Sequence, residues 1–113
     1  MSGGIRLTRA LVLEAPQRQG DGAGGFVESW APLGTLWAEV RARGGRETAG
    51  AATPRATVPY VITVRAAPVG AASRPLAGQR FRDGTRIFPI LAVADDDPAG
   101  RYLSCFAEEE VAT

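Results

Sequence analysis

The chain has 113 residues, a formal net charge of +1 at pH 7 and one cysteine. This length fits a single domain over residues 1–113, and the near-zero charge gives no overall signature of nucleic-acid or membrane binding. One cysteine excludes an internal disulfide, and the absence of histidine excludes Ser–His and Cys–His catalytic pairs and histidine-ligated metals within one chain.

No apolar run approaches the length of a membrane span, so we expect no membrane partner. All 13 basic residues are arginine, and lysine, histidine and asparagine do not occur. A GC-rich genome explains this bias more simply than a need for bidentate contacts at every cation.

The first predicted strand runs from Ile5 to Leu13, where apolar side chains recur at period two. Pro16 is expected to end it or to mark it as an edge strand. The glycine-rich stretch Gly20–Gly25 precedes strand-like residues rather than a helix. We therefore interpret it as a turn in which glycines supply positive φ, not as a phosphate-binding loop.

Two short strands are predicted next, Phe26–Trp30 and Thr35–Ala42, with Pro32 and Gly34 as the break between them. In the second strand, one set of alternate side chains is apolar and small. The other set would suit contact with another element or subunit, and it supplies three interface candidates: Trp37, Glu39 and Arg41.

Residues 43–57 have no useful periodicity and are rich in Gly, Ala and Thr. A structureless loop of this length is uncommon inside a domain and is usually functional or disordered. We expect it to be one long loop inserted between strands.

The second half of the chain continues with short strands and turns. The predicted elements are a strand at Val58–Arg65, a hairpin turned at Asp83–Gly84, its second arm Ile87–Ala94, and a last strand at Arg101–Ala107. Residues 108–113 are expected to form an acidic tail. Five to seven short antiparallel strands without helical periodicity predict an all-β fold, a small barrel or sandwich.

The candidate sites offer no catalytic chemistry. No pair of residues looks like an acid and a base, and Asp95–Asp97 lacks the alternating spacing of a calcium loop. Cys105, in mid-strand, is expected to be a small buried hydrophobe. We therefore expect no enzymatic activity, no cofactor and no metal site.

Three arginines cluster at the predicted hairpin: Arg80, Arg82 and Arg86. Such a cluster can hold phosphates or pair with carboxylates across a subunit interface. The interface is favoured because the chain has no overall surplus of positive charge.

The order of the pieces resembles a known family. A Trp-Ala strand, an aromatic–Ile–Thr–x–Arg strand, an Arg-Phe step and an aromatic–Ile strand ending in Asp occur at Trp37–Ala38, Tyr60–Arg65, Arg80–Phe81 and Phe88–Asp95. Over residues 5–109 this pattern is similar to the head–tail adaptor family of tailed phages, the small head-closure or stopper proteins of the neck. Pro89 departs from it and puts the pairing of its strand in doubt. The GC-rich genome that the arginine bias indicates would suit a gene transfer agent or a prophage of a GC-rich bacterium.

The resemblance implies a small β-barrel with a long inserted loop, assembled in the bacterial cytoplasm into the neck. Copies would form a ring of six or twelve, six being preferred, between the portal–adaptor ring and a tail terminator or tail tube protein. Their loops would narrow the channel and retain packaged DNA. The candidate channel residues are Arg43, Gly44, Gly45, Arg46, Glu47 and Gly50.

Two other functions stay open at this point. One is a barrel of the oligonucleotide-binding type, which Trp37 beside Arg41 would suit and the low net charge disfavours. The other is a different neck component, such as a tail terminator.

Overall fold

Six β-strands carry the fold in the computed structural model, which describes residues 4–43 and 55–112. They are β1 (Arg9–Gly20), β2 (Phe26–Ala42), β3 (Arg55–Arg65), β4 (Arg80–Asp83), β5 (Arg86–Asp95) and β6 (Tyr102–Ala112). The strands pair antiparallel in the order β1-β2-β3-β6-β5-β4, and β4 returns to β1 to close a barrel. The predicted all-β class is confirmed, and the closed order makes it a barrel rather than a sandwich. Within the described residues, no helix is long and apolar enough to span a membrane.

The barrel interior is filled by alternate side chains from all six strands. Because successive side chains of a strand point to opposite faces, each strand delivers its apolar set inward. The buried set is Leu11, Leu13, Ala38, Ile62, Val64, Phe81, Phe88, Ile90, Leu103, Cys105 and Ala107. The alternation noted in the sequence therefore forms the core.

Prolines do not interrupt the first two strands, so the predicted strand ends at Leu13 and Trp30 are wrong. Pro16 lies where the described pairing of β1 is with β2 alone, which agrees with the edge position that was the other expectation. β1 continues through Pro16, and β2 continues through Pro32 and Gly34. The register shifts between Leu13 and Glu14, so that Leu33 has no partner on β1, and Gly34 takes a φ of 151°. The residues expected to break the strand instead form a bulge, at which proline and glycine are tolerated.

Beyond the barrel, β1 and β2 continue as a two-stranded arm, formed by Ala15–Gly20, Phe26–Ala31 and the turn between them. β4 pairs with β1 only as far as Glu14, and β3 pairs with β2 only from Ala38 onward. Among the described residues the two arm strands thus pair with each other alone. Six residues of strand project about 20 Å.

The arm turns at the glycine-rich stretch, as predicted. The Asp21 carboxylate accepts hydrogen bonds from the Ala23 and Gly25 amides at 2.7 and 3.0 Å. These bonds lower the pKa of Asp21. Gly22 and Gly24 have φ of 84° and 87°, which side-chain-bearing residues rarely adopt.

The opposite end of the barrel corrects two boundaries. β3 begins at Arg55, so residues 55–57 are strand rather than loop, while residues 44–54 lie outside the described residues. β6 runs to Ala112, which pairs with Arg55. The predicted acidic tail is therefore wrong for Glu108–Glu110, because β3 offers these residues a complete pairing partner.

The hairpin and the last turn lie where the sequence predicts them. Asp83 pairs with Arg86 across Gly84, whose φ is 65°. β5 is continuous through Pro89, and its pairing with β6 begins at Ile90, one residue later. Among the described residues, the proline thus lies where β5 pairs with β4 alone, which removes the doubt about the pairing of this strand.

Cys105 is fully buried, and burial raises the pKa of its thiol to about 12. We expect Cys105→Ala to cost about 1 kcal/mol of unfolding free energy, similar to the loss of one buried methylene. Cys105→Ser should cost about 1–3 kcal/mol more, because a hydroxyl needs a partner that the apolar core does not supply. Urea denaturation of the two variants measures both values. A serine variant as stable as the alanine variant would show that the site is wetter than the structure indicates.

Candidate assembly interface

The outer face of β2 presents the residues that the alternation singled out. Trp37 is 59% exposed and lies opposite Ala10 on β1. Glu39 accepts a hydrogen bond from the Arg6 amide at 3.2 Å, and the exposed Arg41 lies 3.8 Å from its carboxylate. An exposed tryptophan beside an ion pair is typical of a protein-binding surface. Contact of this face with another subunit stays a prediction.

A groove of about 620 Å³ opens beside Trp37. It lies between β2 and the start of the connector that follows β3. Its lining is mainly apolar or small: Leu7, Leu36, Trp37, Arg65, Ala66, Ala67 and Ser73. Arg65 is the charged residue in this lining, and its guanidinium lies 5.9 Å from the centre of the Tyr102 ring.

The base of the arm is held by a buried carboxylate with two arginines. Glu14 is 5% exposed, and its two oxygens accept hydrogen bonds from Arg80 Nε at 2.7 Å and Arg82 Nε at 2.8 Å. The Arg80 guanidinium also lies 4.1 Å from the centre of the Trp30 ring. The arm, β1 and β4 are thereby joined by one network.

Burial alone would raise the pKa of Glu14. The hydrogen bonds and charges of Arg82 and Arg80 outweigh burial, and the pKa lies below its ordinary value. Glu14 therefore stays ionised at neutral pH, which these short charge-assisted bonds require.

The third arginine of the hairpin makes a second network, with partners on β3 and β6. Arg86 donates to both oxygens of Glu109 at 2.8 and 2.9 Å and to the Tyr60 hydroxyl at 3.2 Å. These bonds, with the charge of Arg86, lower the pKa of Glu109 despite burial. The guanidinium also lies 4.9 Å from the centre of the Phe88 ring. Outside these two networks, a further ion pair joins Arg9 on β1 to Asp83 on β4.

The structure thus brings Arg80 and Arg82 together but places Arg86 in a separate cluster. All three guanidinium groups have carboxylate partners within the chain. Sequence reasoning missed Glu14 and Glu109, because each partner lies on a strand distant in sequence. A role for these arginines at a subunit interface stays a prediction, and it would have to use donor groups left over from these pairs.

Arg43 is the described member of the predicted channel loop, and it lies at the end of the barrel opposite the arm. Its amide donates to the Pro59 carbonyl at 2.8 Å, and its guanidinium lies 5.3 Å from the centre of the Phe106 ring. The other candidates, Gly44, Gly45, Arg46, Glu47 and Gly50, lie outside the described residues.

The acidic turn between β5 and β6 is tied to its own loop. The Asp97 carboxylate accepts from the Arg101 amide at 2.8 Å and from its guanidinium at 3.0 Å, and Asp96 accepts from the Ser104 hydroxyl at 2.6 Å. Across residues 4–43 and 55–112, no three His, Cys, Asp or Glu side chains are grouped so that they could hold a metal.

Replacement of Glu14 by glutamine is expected to cost about 2–3 kcal/mol at pH 7, because two partly buried arginines lose their shared charge. Since the folded-state pKa of Glu14 is depressed, its stabilisation is present above the unfolded pKa and is lost as pH falls through the folded value. The difference between wild type and variant should therefore shrink below about pH 4.5. Thermal unfolding from pH 7 to pH 3 measures this, with Glu28→Gln on the exposed arm as the control. A difference that is constant with pH would contradict the assignment.

Comparison with known proteins identifies the family. The family model described as phage head completion protein matches residues 4–110. A chain of a solved structure, "Virion of native gene transfer agent (GTA) particle", superposes with a TM-score of 0.83 and 58% sequence identity, covering 96% of this chain and 98% of that chain. No match was found among the curated proteins. Because the family match spans nearly the whole sequence, the chain belongs to the phage head completion protein family.

Proposed function

We propose that this protein is a structural component of a phage-like virion particle, in which it completes the head and joins it to the tail. The observation that carries the proposal is the family match over residues 4–110. The 58% identity to a chain of a gene transfer agent particle supports it and points to the same kind of particle. The work of such a protein is mechanical, and we assign it no enzymatic activity.

The barrel suits this role because it is a stiff frame with two different ends. The strand registers place the arm, Arg65 and the turn at Asp95–Gly100 at one end. They place the hairpin turn at Gly84, the end of β2 and the start of β3 at the other. One end would face the portal–adaptor ring and the other a tail terminator or tail tube protein. We propose that copies of the chain form a ring between them, with six copies preferred.

Retention of packaged DNA is assigned to the segment that joins β2 to β3. This proposal rests on the composition of residues 43–54, which remain between the two strands after the correction of the start of β3. Glycines allow the backbone many conformations, and several such segments meeting near a ring axis would narrow the channel without any chemistry. Arg43 and Arg46 would either hold neighbouring subunits or contact DNA phosphates.

Deletion and complementation test the role in the neck. Without the gene, we expect free tails and unjoined heads that lose their packaged DNA, because both the joining surface and the segment that retains DNA are missing. Purified wild-type protein, added to heads that carry portal and adaptor, should bind them and restore tail attachment. Electron microscopy and the copy number per particle measure both results. Normal particles formed without the protein would refute the proposal.

The segment is tested separately by deleting residues 44–54. We expect the barrel to fold with little loss of stability, since loop-closure entropy changes slowly with length. The variant should join the neck, yet particles should lose their DNA. Full DNA retention would rule out a plug.

A paired substitution, Arg43→Ala with Arg46→Ala, separates occlusion from DNA contact. If the arginines contact phosphates, the substitutions should reduce DNA retention more at low salt than at high salt. If the segment is a steric plug, their effect on DNA retention should depend little on salt. We expect the steric result.

A further inference from the structure

The arm exposes two large apolar side chains over most of their surface. At its tip Phe26 is 64% exposed and Val27 is 53% exposed. The Arg18 guanidinium lies 4.7 Å from the centre of the Phe26 ring and covers one of its faces. An isolated two-stranded ribbon is marginally stable in water, so an arm of this kind gains order from a partner.

The groove beside Trp37 offers a surface of matching character. Leu7, Leu36 and the exposed indole supply apolar walls, and Ala66 and Ala67 leave space for a ring. Burial of a phenylalanine with a tryptophan gives large, oriented contact area, which is typical of the residues that dominate binding energy.

The charges of the two surfaces are also complementary. The arm tip carries Asp21 and Glu28 against Arg18 alone. The groove lining contains Arg65 and no carboxylate. A tip with an excess of negative charge therefore approaches a basic groove, which favours this orientation of contact.

A chain cannot satisfy its own groove with its own tip. Phe26 and Trp37 lie on the same strand, β2, eleven residues apart. Extended strand of that length separates them by about 35 Å. The pairing of β1 with β2 along the arm prevents the tip from folding back.

We propose that the arm tip of one copy docks in the Trp37 groove of the next copy. Tip and groove are different surfaces of one chain, so the contact is heterologous and repeats head to tail, which gives a ring when the rotation closes. The contact covers the exposed side chains of Phe26, Val27 and Trp37 at once. This inference rests on the proposed ring and names the surfaces that build it.

Cross-linking in assembled particles tests the contact. In a Cys105→Ala background, Val27→Cys is combined with Ser73→Cys, which lines the groove, and particles are treated with a short bismaleimide. We expect a ladder of dimers and higher multimers of this chain on denaturing gels, and no ladder from either single cysteine alone. Cross-links that join Val27→Cys to a different virion protein would overturn the choice of a second copy, as would the absence of any self-cross-link.

Substitution of the tip gives an independent measurement. Phe26→Ser with Val27→Ser should leave the circular dichroism spectrum and the melting temperature unchanged, yet reduce the copies per particle about tenfold, equivalent to about 1.4 kcal/mol. Leu91→Ser is the matched control, because Leu91 is 55% exposed on β5, outside both surfaces. Normal incorporation of the tip variant would overturn the proposal. Absence of even the wild-type protein from particles would instead refute the role in the neck.

Discussion

Closure of the barrel depends on the short seam between β1 and β4. β4 has four residues, and three residue pairs join it to β1. Glu14 on β1 reinforces that seam, because each of its two carboxylate oxygens accepts a hydrogen bond from one arginine of β4. A buried carboxylate is costly by itself, and two guanidinium partners offset that cost. Without this network, the seam would be left with its three residue pairs and the ion pair between Arg9 and Asp83.

The same network links the frame to its appendage. Arg80 bonds to Glu14 and also stacks on Trp30 at the base of the arm. A guanidinium can do both because its edge donates hydrogen bonds while its face contacts an aromatic ring. The direction in which the arm leaves the barrel is thereby coupled to the seam that closes it.

Alternation of apolar residues was enough to predict the fold class, the apolar face of β2 and the opposite face that carries Trp37. Glycine chemistry correctly predicted the turns at Asp21 and Gly84. Strand ends were harder to predict. Pro16 and Pro32 are tolerated because they lie at strand edges, and the position of an edge depends on how the whole sheet pairs. The partners Glu14 and Glu109 escaped prediction for the same reason, because register across distant strands decides which carboxylate meets which arginine.

The two prolines near the root of the arm affect how readily strands of other molecules can pair with its edges. An extended ribbon with open edges is a template onto which strands of other molecules can add. Pro16 and Pro32 each remove an amide donor from it, the bulge at Leu33 twists it, and Arg18 and Glu28 place charges along it. Each of these features opposes the addition of further strands to the arm, and none of them blocks the proposed docking of the tip side chains in the Trp37 groove. In the proposed ring, these features would keep free copies of the chain from adding to one another through their strand edges.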